Sequence, residues 1–307
     1  GAPTEPHHRL YRRWAEGGVG LSITGNVMVD PAHLGEAGNV SVSDGGPTAA
    51  WMRWAEAAHA RPGALAWVQL NHPGRQAPRA LDTAPVAPSA VPMRGYGAFA
   101  PPRALASAEI DDIVARFARA AGVAVRAGFD GVQVHAAHGY LVSQFLSPRT
   151  NLRDDAWGGD LRGRSAFLVA VVRAIRAEIG ADQALGVKLN TADFQRGGFE
   201  VDEAVQVAKM LADLGVDLLE LSGGTYERAA MFAEGGTEAS ADREAFFLDQ
   251  ARAIRAATSI PLLLTGGFRS AAAMVQAVTS GAIDVVGLAR PLAVEPDLPD
   301  RLLRGEA

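Results

Sequence analysis

The 307-residue sequence contains no cysteine. That absence excludes disulfides, thiol nucleophiles and cysteine-ligated iron–sulfur clusters. Long apolar runs are also missing: no stretch approaches the roughly 18 residues of a membrane-spanning helix, and the amino end lacks a secretory-signal pattern. A cytoplasmic protein is expected. The chain opens GAPTEP without methionine, which fits processing or cleavage upstream. Lysine is nearly absent, occurring only at 188 and 209, and arginine supplies the rest of the 29 basic side chains. These are scattered and the formal charge is −5, so neither nucleic acid nor a lipid surface is indicated as a partner. What the chain does have is 48% apolar against 21% charged residues, enough for a large globular core.

Seven short apolar runs alternate with helical stretches: VGLSIT (19–24), ALAWVQL (64–70), FDGVQV (129–134), ALGVKL (184–189), VDLLEL (216–221), IPLLLT (260–265) and IDVVGL (283–288). Residues 106–128 and 201–215 carry apolar side chains at helical spacing and stop at glycine. This is the βαβα pattern of a parallel sheet. Period-two alternation turns Val68, Leu70, Val132, Val134, Leu185, Val187 and Leu189 outward, and Trp67, Gln69, Asn71, Gln133, His135, Lys188 and Asn190 inward. In the first run it turns Val19, Leu21 and Ile23 toward helices and Ser22, Thr24 and Asn26 inward. Polar side chains gathered inside, near strand C-termini, suit the mouth of a barrel better than a sheet buried on both faces. The pattern predicts an α/β fold, a (β/α)8 TIM barrel forming a single domain over 1–307. Such a barrel needs eight strands and seven are found, so the first is expected upstream of Gly1. Proline-rich residues 72–108 are expected to form a loop over the mouth, and 223–243 a shorter one.

GYGAFA (95–100) matches a dinucleotide fingerprint in letters only, since no strand precedes it. TGG (265–267) and GLARP (287–291) end the last two runs, where barrels often hold phosphate. The alternative is two glycine turns and a surface arginine. Lys188, pointing inward, needs an anion, an electron-rich ligand or a substrate carbonyl, or else a salt bridge across the barrel to Glu220. His135 and His138 in HAAHGYL (135–141) lack nearby acidic or cysteine co-ligands, so a metal is not expected. They can instead polarise an oxygen, with the Tyr140 hydroxyl as a nearby proton donor, or merely cap a turn.

Several segments resemble the Old Yellow Enzyme family of FMN-dependent NAD(P)H:flavin oxidoreductases and ene-reductases. They are GGVGLSITGNVMVDP (17–31), WVQLNHPGRQ (67–76), FDGVQVHAAHGYLVSQFLSPRTNLRDDAWGGDLRGR (129–164), GVKLNTADFQRGGF (186–199), LTGGF (264–268) and GLARPL (287–292). The resemblance implies FMN held by Gly25, Asn26, Gln69, Lys188, Gly266, Gly267, Ala289 and Arg290. In it Gln69 meets the pyrimidine edge, Lys188 lies beside N1 and C2=O, and the last four hold the phosphate. His135 and His138 would grip the activating oxygen of an enone-like substrate, and Tyr140 would protonate its α-carbon after hydride arrives from N5. NADH or NADPH would reduce the flavin in the same pocket, and a homo-oligomer is compatible. Many relatives carry arginine where this chain has Lys188, and the family's first strand, with a residue tuning flavin O4, would precede Gly1. Two other readings are a phosphate-binding barrel aldolase with Lys188 as Schiff-base nucleophile, and an inactive barrel fragment.

Overall fold

The computed structural model describes residues 1–43, 45–93, 97–227 and 244–306. Most of the 223–243 excursion and part of GYGAFA lie outside the described residues. Helix α1 (Glu5–Glu16) leads into strand β1 (Leu21–Ile23). The short strands β2 (Val27–Met28) and β3 (Val40–Ser41) precede α2 (Ala49–Ala58) and β4 (Leu65–Asn71). A long loop with the two-residue strands β5 (Val86–Ala87) and β6 (Arg103–Ala104) runs to α3 (Ser107–Arg126) and β7 (Gly131–Ala136). Then come α4 (Leu141–Leu146), α5 (Leu161–Ile179), β8 (Ala184–Asn190), α6 (Val201–Asp213), β9 (Leu218–Ser222) and α7 (Leu248–Arg255). Strand β10 (Leu262–Thr265), α8 (Ala271–Thr279), β11 (Val285–Gly287), α9 (Arg290–Val294) and α10 (Leu298–Leu303) complete the chain.

Each of the seven apolar runs contains a strand, and the ladders between named strands are all parallel. The order is β11-β10-β9-β8-β7-β4, with β4 pairing onward to both β1 and β2. The outward side chains Val68, Leu70, Val132, Val134, Leu185, Val187, Leu189 and Leu219 are fully buried in one core layer with Phe117, Phe167, Val171 and Leu211 of the helices. At about 1.5–3 kcal/mol per buried aliphatic side chain, this sheet–helix layer supplies most of the apolar stabilisation.

On the inner side, Trp67 of β4, Leu218 of β9 and Leu263 of β10 form a second cluster, with Leu21, Ile23, Ala184 and Val285 packed against it. Side chains from strands as distant in the order as β1 and β11 meet there only because the sheet curls into a barrel wall. Ladder registry then fixes the inner face. Ile23 lies beside Trp67, Gln69 beside Gln133, His135 beside Lys188, Lys188 beside Glu220 and Glu220 beside Leu263. This overturns the expectation for the first strand, where Leu21 and Ile23 face inward rather than toward helices. Alternation gives two phases, and polarity chose the wrong one because the barrel floor is itself apolar.

Among the described residues, β1 and β11 each pair on one side only. A cavity of about 1170 Å³ runs from this seam to the mouth. Leu21, Ile23, Leu263, Met274, Val285 and Leu302 line its apolar part.

Candidate active site

Strand C-termini place the polar side chains. The inner face of β4, β7, β8 and β9 ends in a chain of hydrogen bonds: Gln69 Nε2 donates to Gln133 Oε1 at 2.7 Å, and Gln133 Nε2 donates to Glu220 Oε2 at 2.8 Å. Glu220 Oε1 accepts from Thr265 Oγ1 at 2.8 Å and pairs with Lys188 Nζ at 2.7 Å. Burial pushes the Glu220 carboxyl up, but the Lys188 charge and the side-chain donors outweigh it and hold it below the usual carboxylate range. The salt bridge open in the sequence therefore forms, and Lys188 still lines the cavity along with Thr24, Gly25, Asn26, Gln69, Glu220, Thr265 and Ala289.

Beside this cavity the HAAHGYL turn brings His135, His138 and Tyr140 together. The His135 ring lies 5.1 Å from His138 and 4.8 Å from Tyr140, both edge-on. His135 Nδ1 accepts the Ala137 backbone N–H at 3.2 Å, which leaves the ring proton on Nε2. His138 adopts φ +60, a left-handed conformation uncommon outside glycine. Three ties hold it there: its backbone N–H donates to Asn190 Oδ1 at 3.0 Å, its Nε2 pairs with Ser222 Oγ at 2.8 Å, and its backbone bridges Thr225. Burial is the main cause that keeps both imidazoles neutral far below their ordinary titration range; Lys188 contributes at each, and His138 contributes at His135. Burial likewise pushes the Tyr140 phenol well up, so it stays protonated. Two neutral imidazoles and a phenol are hydrogen-bond and proton donors suited to an oxygen and a carbon on one small molecule.

Asn26 joins the two halves. It lines the cavity, and its Nδ2 donates to Tyr140 Oη at 3.2 Å. Its Oδ1 is buried with no partner among the described residues. Lys188 Nζ, Asn26 Oδ1 and Gln69 Oε1, left over once Gln69 Nε2 is engaged, give the cavity a donor and two acceptors among apolar walls. That set fits the polar edge and flat faces of a flavin. The expected phosphate end is only partly brought together. Ala289 lines the cavity, but Gly266, Gly267 and Arg290 do not. Gly267 has φ +83 and lies so close to the Phe246 ring that a Cβ there would approach it to 2.7 Å. Arg290 begins α9 as an exposed side chain.

Much of the long motif around HAAHGYL turns out to hold loops in place. Asn151 Nδ2 donates to the Phe145 and Trp157 carbonyls, and Arg153 Nη1 to those of Pro88 and Leu105. Arg164 spans the Leu146 carbonyl and Glu203. A side chain at Gly163 would collide with the Gly158 carbonyl, and one at Gly158 with the Arg153 carbonyl, which explains both glycines.

Asp30, His33 and His72 form a separate cluster whose ligand atoms lie within 4.8 Å of one another. Asp82 Oδ2 accepts from His33 Nδ1 at 2.5 Å, an arrangement that suits a metal-bound histidine. His72 argues the other way. Its Nδ1 accepts the Gly74 N–H at 3.1 Å, so Nε2 carries the proton a metal would have to displace.

Tyr226 and Asn71 were not singled out as site residues in the sequence. Tyr226 Oη lies 3.3 Å from Tyr140 Oη, and among the described residues both amide atoms of the fully buried Asn71 are unpartnered. For Tyr226 the available signal was position, since it follows SGGT at the end of β9 and so reaches the mouth.

The model of the NADH:flavin oxidoreductase / NADH oxidase family matches residues 2–307. The NADH-dependent flavin oxidoreductase iccE of Talaromyces variabilis is 43% identical over 319 residues, covering 96% of this chain and 77% of that protein. The counterpart iliE of Hypocrea jecorina is 42% identical, covering 96% and 79%. Among solved structures, 2-naphthoyl-CoA reductase with 2-naphthoyl-CoA superposes with TM-score 0.91 at 26% identity, over 99% of this chain and 47% of that one. An old yellow enzyme homologue from Zymomonas mobilis gives TM-score 0.82 at 28% identity, over 100% and 84%.

Proposed function

The chain belongs to the NADH:flavin oxidoreductase / NADH oxidase family, the Old Yellow Enzyme family, and from that premise we propose that it is an FMN-dependent reductase of electron-poor C=C bonds, using NADH or NADPH. Gly25, Asn26, Gln69, Lys188 and Ala289 would hold FMN in the cavity they line, with Gly266, Gly267 and Arg290 toward its phosphate. When bound, FMN supplies the two-electron exchange between a nicotinamide and the substrate. The chain's own residues do the rest. His135, a donor through Nε2, and His138 bind the substrate's carbonyl or other activating oxygen and draw electron density from the double bond. Tyr140 delivers a proton to the α-carbon. Lys188 orients the cofactor's polar edge from its pairing with Glu220.

The observation that carries this reading is the Asn26–Tyr140 hydrogen bond, which joins the cofactor cavity to the donor trio. The aldolase alternative fares worse, because Lys188 Nζ is engaged in an ion pair at 2.7 Å with the buried Glu220 carboxylate rather than free to attack a carbonyl. The test is the visible spectrum of the protein reconstituted with FMN, its bleaching by NAD(P)H and its recovery on adding an enone. Absence of a flavin spectrum after reconstitution overturns the proposal.

A further inference from the structure

Tyr140 accepts a hydrogen bond from Asn26 Nδ2, and an amide N–H can only donate. The phenolic hydrogen of Tyr140 must therefore point elsewhere, to Tyr226 Oη at 3.3 Å or to the substrate. The two rings meet edge-on with centroids 6.1 Å apart. Tyr140 is 6% exposed, whereas Tyr226 is 38% exposed. The loop bearing Tyr226 is fixed to the histidine turn by the His138–Thr225 bridge, and to the loop after β8 by Gln195 Nε2 donating to Thr225 Oγ1 at 2.8 Å. The two hydroxyls are thus held together by the same backbone that positions His138.

We propose that Tyr226 is a positioning residue for proton supply, passing protons from solvent to Tyr140. This rests on the reading of Tyr140 as proton donor. In each turnover the Tyr140 O–H bond breaks and its proton joins the α-carbon, whose electron pair becomes available when hydride adds to the β-carbon. The Tyr226 O–H proton moves to the Tyr140 oxygen, and water reprotonates Tyr226, leaving hydroxide to the buffer. One proton enters from water for each one given to the substrate.

The test uses the FMN-loaded protein with cyclohexenone as probe, comparing Y226F and Y140F with the parent. Reoxidation by enone should slow about tenfold in Y226F, while reduction by NADH is unchanged; positioned proton transfer contributes about 10²–10⁴-fold. A plot of reoxidation rate against heavy-water fraction should curve in the parent and become linear in Y226F, a change that loss of packing alone does not produce. In flavin-free protein labelled with fluorotyrosine, the Tyr140 resonance should show a heavy-water isotope shift that Y226F alters. If Y140F does not slow reoxidation, the donor reading fails and the relay with it. If Y140F slows reoxidation but Y226F leaves rate and curvature unchanged, the donor reading stands and the relay is overturned. A slowed Y226F that keeps the parent's curvature is also against the relay.

Discussion

Lys188 Nζ and Glu220 Oε1 lie 2.7 Å apart on adjacent strands inside the barrel, and Glu220 accepts from Gln133 and Thr265 as well. The pair joins four strands, β7, β8, β9 and β10, through one carboxylate. Removing one partner of a buried ion pair costs about 3–5 kcal/mol, because the other is left uncompensated. E220A is expected to lose that much in urea unfolding, with Gln133, Thr265 and Lys188 all losing an acceptor. A loss below about 1 kcal/mol would mean that water replaces the carboxylate.

Stability should fall with acidity in a window set by the buried histidines. His72, His135 and His138 have folded-state pKa values well below 6.5, burial being the first cause at each, so below that pH the unfolded chain binds protons that the folded chain does not. The sign follows directly: stability rises with pH up to about 6.5 and is lost as pH drops beneath it, by roughly 1.4 kcal/mol per pH unit for each ring. H135N/H138N should remove two thirds of this slope between pH 5 and 6, read from urea midpoints. An unchanged slope would show that these rings titrate normally in the folded chain.

The sequence revealed some layers of this design and not others, for physical reasons. Parallel strands of a barrel wall read as apolar runs, so seven strands were found and the two-residue strands β2, β3, β5 and β6 were not, and Lys188 stood out because lysine is so rare here. The inner face of β1 was misread because its neighbours Trp67 and Leu218 make the barrel floor apolar, and polarity then says nothing about direction. His135, His138 and Tyr140 were legible because six consecutive residues bring them together. Tyr140–Tyr226 joins positions 86 residues apart, and only the folded loops bring those hydroxyls into contact. The roles of Asn151, Arg153 and Arg164 as loop clamps were hidden for the same reason.

Packing on the barrel floor can be tested at Gly186, which lies under the Trp67 ring. A Cβ there would approach Trp67 Cζ3 to 2.7 Å and the Leu218 carbonyl to 3.2 Å. Overpacking of this kind costs about 1–3 kcal/mol. G186A should therefore lower the Tm, and adding W67L should recover part of the loss. Additive destabilisation by the two changes would place the ring and the glycine in separate environments.

The seam between β1 and β11 makes the strongest demand on the fold. Both strands present unpaired edges among the described residues, the β11 side chains are only half-buried, and Val275 and Val278 of α8 are 60% and 40% exposed nearby. Edges of this kind invite another strand, and apolar side chains at alternate positions would fill the gap beside Leu21, Ile23 and Val285. A chain carrying such a strand at its amino end, about thirty residues with its flanking loops, is expected to show a higher Tm than residues 1–307. It should also bind FMN more tightly, because the seam opens into the cavity lined by Gln69 and Lys188. Calorimetry and flavin fluorescence titration of the two chains measure both effects. Equal FMN affinity with a raised Tm would separate barrel closure from cofactor binding, and equality in both would show that the seam needs no strand.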